Sequence, residues 1–197
     1  MQTASECKEI IKPLLSKRRY HHSCCVAKEA KRLAKKYGAD AQKAEIAGML
    51  HDITKELPDA EQLKMIARFD IMLSRTEKNL PGVWHAITGA LYAEQVLGIQ
   101  DAEILSAIRW HTSGKGEMTL LDKVLFVADF TSADRDYPDV EVMRRLSDKS
   151  LEKAMLEGIR YTVQELFAEE SFVEYGMMEA YNEALQTVKN KKKERSL

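Results

Sequence analysis

The sequence predicts an all-α protein that folds as a single domain of 197 residues. Apolar residues recur mostly at intervals of three and four, and no segment shows the two-residue alternation with closely spaced turns that is typical of strands. Only 4 prolines and 9 glycines interrupt these patterns. A hydrophobic fraction of 45% beside a charged fraction of 31% is typical of a soluble globular chain, which at this length buries one sizeable core.

Capping residues set the helix boundaries in chain order. Gly38 is a C-cap for the second helix, and Asp40 is an N-cap for the third. Asp59 caps a short fourth helix, Gly98 ends the fifth, and Asp101 opens the sixth. With the apolar periodicity between these signals, we predict helices at about residues 5–15, 19–37, 41–53, 59–67, 81–97, 102–112, 120–130, 140–146, 150–170 and 177–193.

Composition excludes several classes of function. A net charge of -1 gives no reason to expect a nucleic-acid or acidic-membrane partner, and the basic stretch at 189–195 is interpreted as a solvated helix end. No apolar run approaches the roughly 18 residues that a membrane span needs, and the first residues lack the pattern of a signal peptide. The adjacent Cys24 and Cys25 make a poor disulfide framework and are expected to be small buried residues. We therefore expect a cytoplasmic protein.

The pair His51-Asp52 closes an apolar stretch and would be costly to bury without partners. His22, upstream, and Asp129, which interrupts the apolar helix at 120–130, are the candidate partners. Two imidazoles and two carboxylates form a metal-ligand set that suits iron, manganese, cobalt or zinc, and a metal in such a setting points to hydrolysis. The alternative for Asp129 is an ion pair with an arginine such as Arg135 or Arg109.

Further polar residues surround this set. His85 and His111 lie on two other predicted helices and would hold a second metal or contact a phosphate if they reach the same cavity. Lys55 and Arg19 lie one helical turn from His51 and His22, and Arg135 follows the helix of Asp129. Cations around a metal are what a polyanionic substrate requires, although each of these alone could be a solvated surface charge.

The order of these residues resembles the HD-domain phosphohydrolase superfamily, and several longer motifs resemble its YqeK family of bacterial symmetrical bis(5'-nucleosyl)-tetraphosphatases. The similarity covers nearly the whole chain. The stretches that carry it are Arg19-Tyr20-His21-His22-Ser23, His51-Asp52-Ile53-Thr54-Lys55, Trp84-His85-Ala86, Ile108-Arg109-Trp110-His111-Thr112-Ser113-Gly114, Met118-Thr119-Leu120-Leu121-Asp122-Lys123 and Val127-Ala128-Asp129.

The resemblance implies a helical bundle with one HD domain over 1–197: a metal-binding core at about 19–135, and C-terminal helices at about 139–193 that complete the pocket. It implies symmetrical hydrolysis of diadenosine tetraphosphate to two ADP, with iron, or else manganese or cobalt, as one or two ions, in a homodimer. The implied metal ligands are His22, His51, Asp52 and Asp129, with His85 and His111 as an alternative second set. The residues implied to face the nucleotide are Arg19, Asp52, Lys55, His85, His111, Thr112, Arg135, Tyr181 and Asn182.

On this hypothesis Asp52 orients the attacking water, His51 holds the metal, and Lys55 stabilises the developing charge. One departure is the segment Thr131-Ser132-Ala133-Asp134-Arg135, where the family usually has a Glu-Pro pair before the arginine. Three alternatives stay open. They are an HD phosphohydrolase of a nucleoside monophosphate or cyclic nucleotide, a non-catalytic nucleotide-sensing protein, and a helical bundle without a metal.

Overall fold

The computed structural model describes residues 2–194, and within them the chain forms eleven α-helices and no strand, which confirms the all-α class. A short 3-10 turn, Pro81–Val83, precedes the sixth helix. The helices are α1 Ala4–Ile11, α2 Lys17–Tyr37, α3 Ala41–Leu50, α4 Asp59–Arg68, α5 Arg75–Lys78, α6 Trp84–Gln95, α7 Ala102–Trp110, α8 Leu120–Thr131, α9 Val140–Ser147, α10 Leu151–Ala168 and α11 Tyr175–Glu194.

Two helix ends and one short helix differ most from the prediction. Helix α1 ends at Ile11 instead of residue 15, because Pro13 lacks the amide that would continue the helix and its ring crowds the preceding turn. Helix α3 ends at Leu50, so that His51 is its C-cap and Asp52 lies in the turn that follows. The four-residue α5 was not predicted, since it is too short for periodicity, although its capping box is present between Ser74 and Glu77.

The core forms where α2, α3, α7 and α8 pack together. Helix α2 packs against both α3 and α8, and α3 also contacts α7. Leu33, Ile46, Leu50, Ile108 and Leu125 are fully buried there, each worth roughly 1.5–3 kcal/mol of hydrophobic stabilisation. These four helices bring one end each to the same region, and that region holds the polar residues described below.

Helices α2 and α3 approach each other unusually closely at Gly48. A Cβ atom at this position would lie 2.7 Å from the Cα atom of Ala27. Only a glycine permits this separation without movement of the backbone, and His51 follows one turn later. The close approach therefore holds the end of α3 beside the first turns of α2.

The remaining helices cover this core. Helix α10 packs on α8, α9 and α11. The expectation for Cys24 and Cys25 was wrong, because both are only half-buried, whereas Cys7 is fully buried. Among the described residues, no helix has the length and apolarity needed to cross a membrane.

Candidate metal centre

Five helix ends or turns converge on one buried polar cluster. His22 lies in the second turn of α2, His85 in the first turn of α6, and Asp129 near the end of α8. His51 and His111 are the C-caps of α3 and α7, and Asp52 directly follows the first of these. All except Asp129 are at least 95% buried. So many ionisable side chains in one buried place require a shared partner.

The first half of the cluster consists of His22, His51 and Asp129. The Nε2 atom of His22 lies 3.0 Å from Oδ1 of Asp129, and Nε2 of His51 lies 3.9 Å from the same oxygen. Both Nε2 atoms are buried, and neither has a hydrogen bond of acceptable geometry in the described part of the chain. Three ligand atoms therefore converge, and two of them are nitrogens without a hydrogen bond. Such a group fits a divalent metal ion.

Asp52 lies between the two halves of the cluster. Its Oδ2 atom accepts a hydrogen bond from Arg19 at 2.6 Å and lies 3.3 Å from Nε2 of His51. Its Oδ1 atom faces His85 at 3.3 Å and His111 at 3.8 Å. Burial acts to raise the pKa of Asp52, but the surrounding imidazoles, His51 first, outweigh it and hold the pKa well below the usual range.

The second half centres on His85 and His111. Their Nε2 atoms are 3.2 Å apart, and Oγ1 of Thr112 lies 3.2 Å and 3.0 Å from them. Burial lowers the pKa of His111 to about 4 and that of His85 well below its ordinary value. The second group of converging ligand atoms is His51, Asp52 and His111, so that His111 rather than His85 completes it.

Three arginines border the cluster in a cavity of about 410 Å³ that also includes His22. Arg19 pairs with Asp52 as described, and Arg135 donates from Nε to the backbone carbonyl of Asp129 at 2.7 Å and from Nη2 to its carboxylate. The ion pair considered for Asp129 is therefore present with Arg135. Arg109 pairs instead with Glu77, and Arg18 is the third arginine of the cavity.

Asp134 also contacts the cluster, although it was not predicted as a site residue. Its Oδ2 atom lies 2.8 Å from Nδ1 of His22, and its Oδ1 atom accepts a hydrogen bond from the hydroxyl of Ser132 at 2.8 Å. Burial lowers the pKa of His22, while Asp129 and Asp134 act in the opposite direction and raise it to about 9. Binding of a metal at Nε2 would therefore release a proton from His22. Asp134 lies within the segment 131–135, where this chain departs from the family pattern.

Two predicted residues lie outside the observed cluster. Tyr181 is half-buried on α11 and interacts with Arg160 of α10. Asn182 is exposed. Among the described contacts none joins either side chain to the histidines and carboxylates, whereas Lys55 reaches Nδ1 of His85 at 3.2 Å. The polar cluster thus includes every other residue predicted for the site.

The family model of the HD domain matches residues 19–134 of this chain. A symmetrical bis(5'-nucleosyl)-tetraphosphatase from Bacillus subtilis is 40% identical over 153 residues, which cover 78% of this chain and 82% of the relative. A protein of the same name from Halalkalibacterium halodurans is 34% identical and covers 90% of this chain and 94% of the relative. The crystal structure of a predicted HD superfamily hydrolase involved in NAD metabolism, from Clostridium acetobutylicum, superposes with a TM-score of 0.90 at 30% identity, covering 95% of this chain and 99% of that chain.

Proposed function

Because this chain belongs to the HD-domain family, we propose that it is a metal-dependent hydrolase that cleaves diadenosine tetraphosphate symmetrically into two ADP molecules. The observation that carries the proposal is the pair of orphaned, buried Nε2 atoms of His22 and His51 directed at the carboxylate of Asp129. The names of the relatives from Bacillus subtilis and Halalkalibacterium halodurans support the choice of substrate.

We propose His22, His51, Asp52 and Asp129 as the metal ligands and iron as the preferred ion, with manganese or cobalt as substitutes. Mixed imidazole and carboxylate ligands suit these ions better than magnesium or calcium, which prefer oxygen alone. When bound, such an ion supplies Lewis-acid chemistry toward a phosphoryl oxygen and an attacking water. The group of His51, Asp52 and His111 supports a second ion.

The chain's own groups orient the reactants. The reaction forms a bond from a water oxygen to one of the two inner phosphorus atoms and breaks the bridging bond from that phosphorus to the other half of the substrate. Asp52 faces both halves of the cluster and orients that water by accepting a hydrogen bond from it. Lys55, beside His85, donates to the oxygens that gain charge as the ADP half leaves.

Arg19 and Arg135 bind the phosphates. In the structure each pairs with a carboxylate that we assign to the metal, namely Asp52 and Asp129. If Asp52 and Asp129 held a metal, both guanidinium groups would be free to turn toward the adjoining cavity, where a guanidinium matches phosphate geometry with two parallel hydrogen bonds. Thr112 adds a hydroxyl between His85 and His111 on the opposite side.

We further propose a homodimer in the cytoplasm, with Tyr181 and Asn182 near the nucleoside and with neither nucleic acid nor membrane as partner. Helix α11 supports this placement of the nucleoside, because its first turn packs on the turn after His111: a Cβ at Gly176 would lie 2.9 Å from the carbonyl oxygen of Gly114. This contact joins the start of α11 to the loop that follows His111.

The test is anaerobic reconstitution with Fe²⁺, Mn²⁺ or Co²⁺, followed by assay against diadenosine tetraphosphate with chromatographic identification of the products. ADP as the sole nucleotide product supports the proposal, and a mixture of AMP and ATP contradicts it. Parallel assays with nucleoside monophosphates and cyclic nucleotides test the second candidate activity. Tight binding of the substrate to metal-loaded protein without turnover would establish a sensing protein instead.

A further inference from the structure

We propose that Asp134 is a positioning residue for the metal centre: its carboxylate holds the Nδ1–H of His22 and thereby directs the Nε2 lone pair of that histidine at the metal. The inference rests on the proposed metal site and does not depend on which nucleotide is hydrolysed. It concerns a residue that lies outside the HD motif and in the segment where this chain departs from the family pattern.

Three of the four histidines in the cluster, His22, His51 and His111, share one arrangement of their ring nitrogens. Nδ1 of His51 donates to the carbonyl of Gly48 at 2.8 Å, and Nδ1 of His111 donates to the carbonyl of Ile108 at 2.7 Å. A proton on Nδ1 leaves Nε2 with a lone pair, which is the form that ligates a metal. In both cases Nε2 is the atom that faces Asp52.

Helix position explains how two of these histidines find their acceptors. His51 and His111 are C-caps, and each donates to the carbonyl three residues before it. Carbonyls in the last turn of a helix have no intrahelical amide partner, so they are free to accept from a side chain. The sequence of α3 and α7 therefore fixes these two rings locally.

His22 has no such local acceptor. It lies in the second turn of α2, which continues to Tyr37, and the carbonyls around it are engaged in the hydrogen-bond ladder of the helix. An acceptor must come from elsewhere in the fold, and Asp134 supplies it at 2.8 Å from a position 112 residues away in sequence. A carboxylate on the outer nitrogen also makes the imidazole a stronger ligand than a carbonyl would.

The loop after α8 holds Asp134 in place. Ser132 is fully buried and donates its hydroxyl to Oδ1 of Asp134 at 2.8 Å. The backbone amide of Arg135 donates to the carbonyl of Ser132 at 3.1 Å, which closes the turn. The same turn therefore places the carboxylate of Asp134 against His22. It also places the guanidinium of the next residue, Arg135, against Asp129.

The experiment measures metal affinity in the full-length chain, with Co²⁺ as the probe and its visible absorption as the signal. Asp134→Ala removes the acceptor, Asp134→Asn keeps a neutral acceptor oxygen, and Ser132→Ala loosens the carboxylate. Asp136→Asn is the matched control. Asp136 is exposed, and the substitution removes one negative charge two residues from Asp134. Outer-sphere partners of this type typically contribute 10–100-fold to metal affinity.

We expect the Kd for Co²⁺ to rise about 10–100-fold in Asp134→Ala, by less in Asp134→Asn and Ser132→Ala, and by less than about twofold in Asp136→Asn. Labelling with ¹⁵N in the ¹¹³Cd²⁺-loaded protein gives a second readout: nitrogen–cadmium coupling at Nε2 of His22, which Asp134→Ala weakens or transfers to Nδ1.

Co²⁺ affinity in Asp134→Asn and Asp134→Ala within twofold of the parent chain, with unchanged coupling, would overturn the inference. If Asp134→Ala does not fold, as judged by thermal melting, the milder Asp134→Asn and Ser132→Ala carry the comparison. A parent chain that binds neither Co²⁺ nor Cd²⁺ would instead refute the metal site itself, so the two failures are distinguishable.

Discussion

His85 and His111 lie with their Nε2 atoms 3.2 Å apart, which allows only one proton between them. Nδ1 of His111 donates to the carbonyl of Ile108 at 2.7 Å, so its Nε2 is the acceptor and Nε2 of His85 is the donor. Nδ1 of His85 is then free to accept from the ammonium of Lys55 at 3.2 Å. The result is a directed chain of hydrogen bonds from Lys55 through both rings, and both rings are neutral.

This chain makes Lys55 a test of the phosphate-facing side of the site. Lys55→Met removes the cation and keeps the length of the side chain. We expect kcat for diadenosine tetraphosphate to fall about 10²–10³-fold, the usual effect of removing one donor from a developing negative charge. We expect the metal content to be unchanged. Among the described contacts, Lys55 bonds to His85 and to no proposed ligand of the first ion, and it acts on Asp52 only through its charge.

Metal analysis by mass spectrometry beside the kinetics separates the two roles. A Lys55→Met protein that lost its metal would show that Lys55 maintains the ligands instead of stabilising the leaving group. Lys55→Arg, which keeps the charge, should recover part of the lost rate.

Asp52 is the carboxylate whose loss affects both halves of the cluster. Asp52→Asn keeps the shape of the side chain but removes the charge that faces His51 through one oxygen and His85 through the other. We expect the variant to fold, to lose stoichiometric metal and to lose hydrolysis. Asp59→Asn, an exposed carboxylate on α4, is the control and should retain both. Near-normal turnover in folded Asp52→Asn protein would contradict the proposed ligand set.

The sequence predicts those structural features whose cause lies within a few residues along the chain. Gly38, Asp40 and Asp101 were identified as caps and occupy the cap positions, because capping involves residues only a few positions away. The contact between His22 and Asp134 joins residues that are 112 positions apart in the sequence. No periodicity or spacing carries that information, and only the packed fold brings the two residues together.

The same limit applies to Gly48, whose role follows from the separation of two helices. Gly48→Ala would place a methyl group 2.7 Å from the Cα atom of Ala27, a backbone atom that cannot rotate away. Overpacking of this kind costs about 1–3 kcal/mol, and here it would push apart α2 and α3, which carry His22 and His51. We expect a lower free energy of unfolding in urea together with weaker metal binding.

Gly82→Ala is the matched control for this substitution. A Cβ atom at Gly82 would meet nothing within 4 Å, so the change should leave both stability and metal binding nearly unaltered. If Gly48→Ala lowered stability but left the Kd for Co²⁺ unchanged, the helix separation would be a matter of packing alone and would not position the histidines.

The ion pair between Glu77 and Arg109 predicts a pH-dependent contribution to stability away from the metal centre. Glu77 is buried at the start of α5 and pairs with the guanidinium of Arg109, which stacks on the ring of Trp110 at 4.0 Å. Burial acts to raise the pKa of Glu77, but the amide of Ser74 and the charge of Arg109 lower it below its ordinary 4.5. Arg109 stays charged at neutral pH although burial lowers its pKa, because the ordinary pKa of a guanidinium lies far above neutral.

A carboxylate whose pKa is lower in the folded than in the unfolded state stabilises the protein above the unfolded pKa, and this stabilisation is lost as pH falls through the folded value. We therefore expect Glu77→Gln to be less stable than the parent chain by about 3 kcal/mol at pH 7, since it leaves the largely buried guanidinium of Arg109 without its counter-charge. That difference corresponds to a Tm lower by roughly 6–12 °C. The difference should shrink progressively below pH 4.5, the ordinary pKa of this side chain. Glu61→Gln, which removes an exposed pair with Lys64, should change Tm little at any pH. The measurement is the Tm of the three proteins from pH 7 to pH 3. If the difference in Tm between Glu77→Gln and the parent chain stayed constant with pH, the shape of the Glu77 side chain and not its charge would hold α5 against α7.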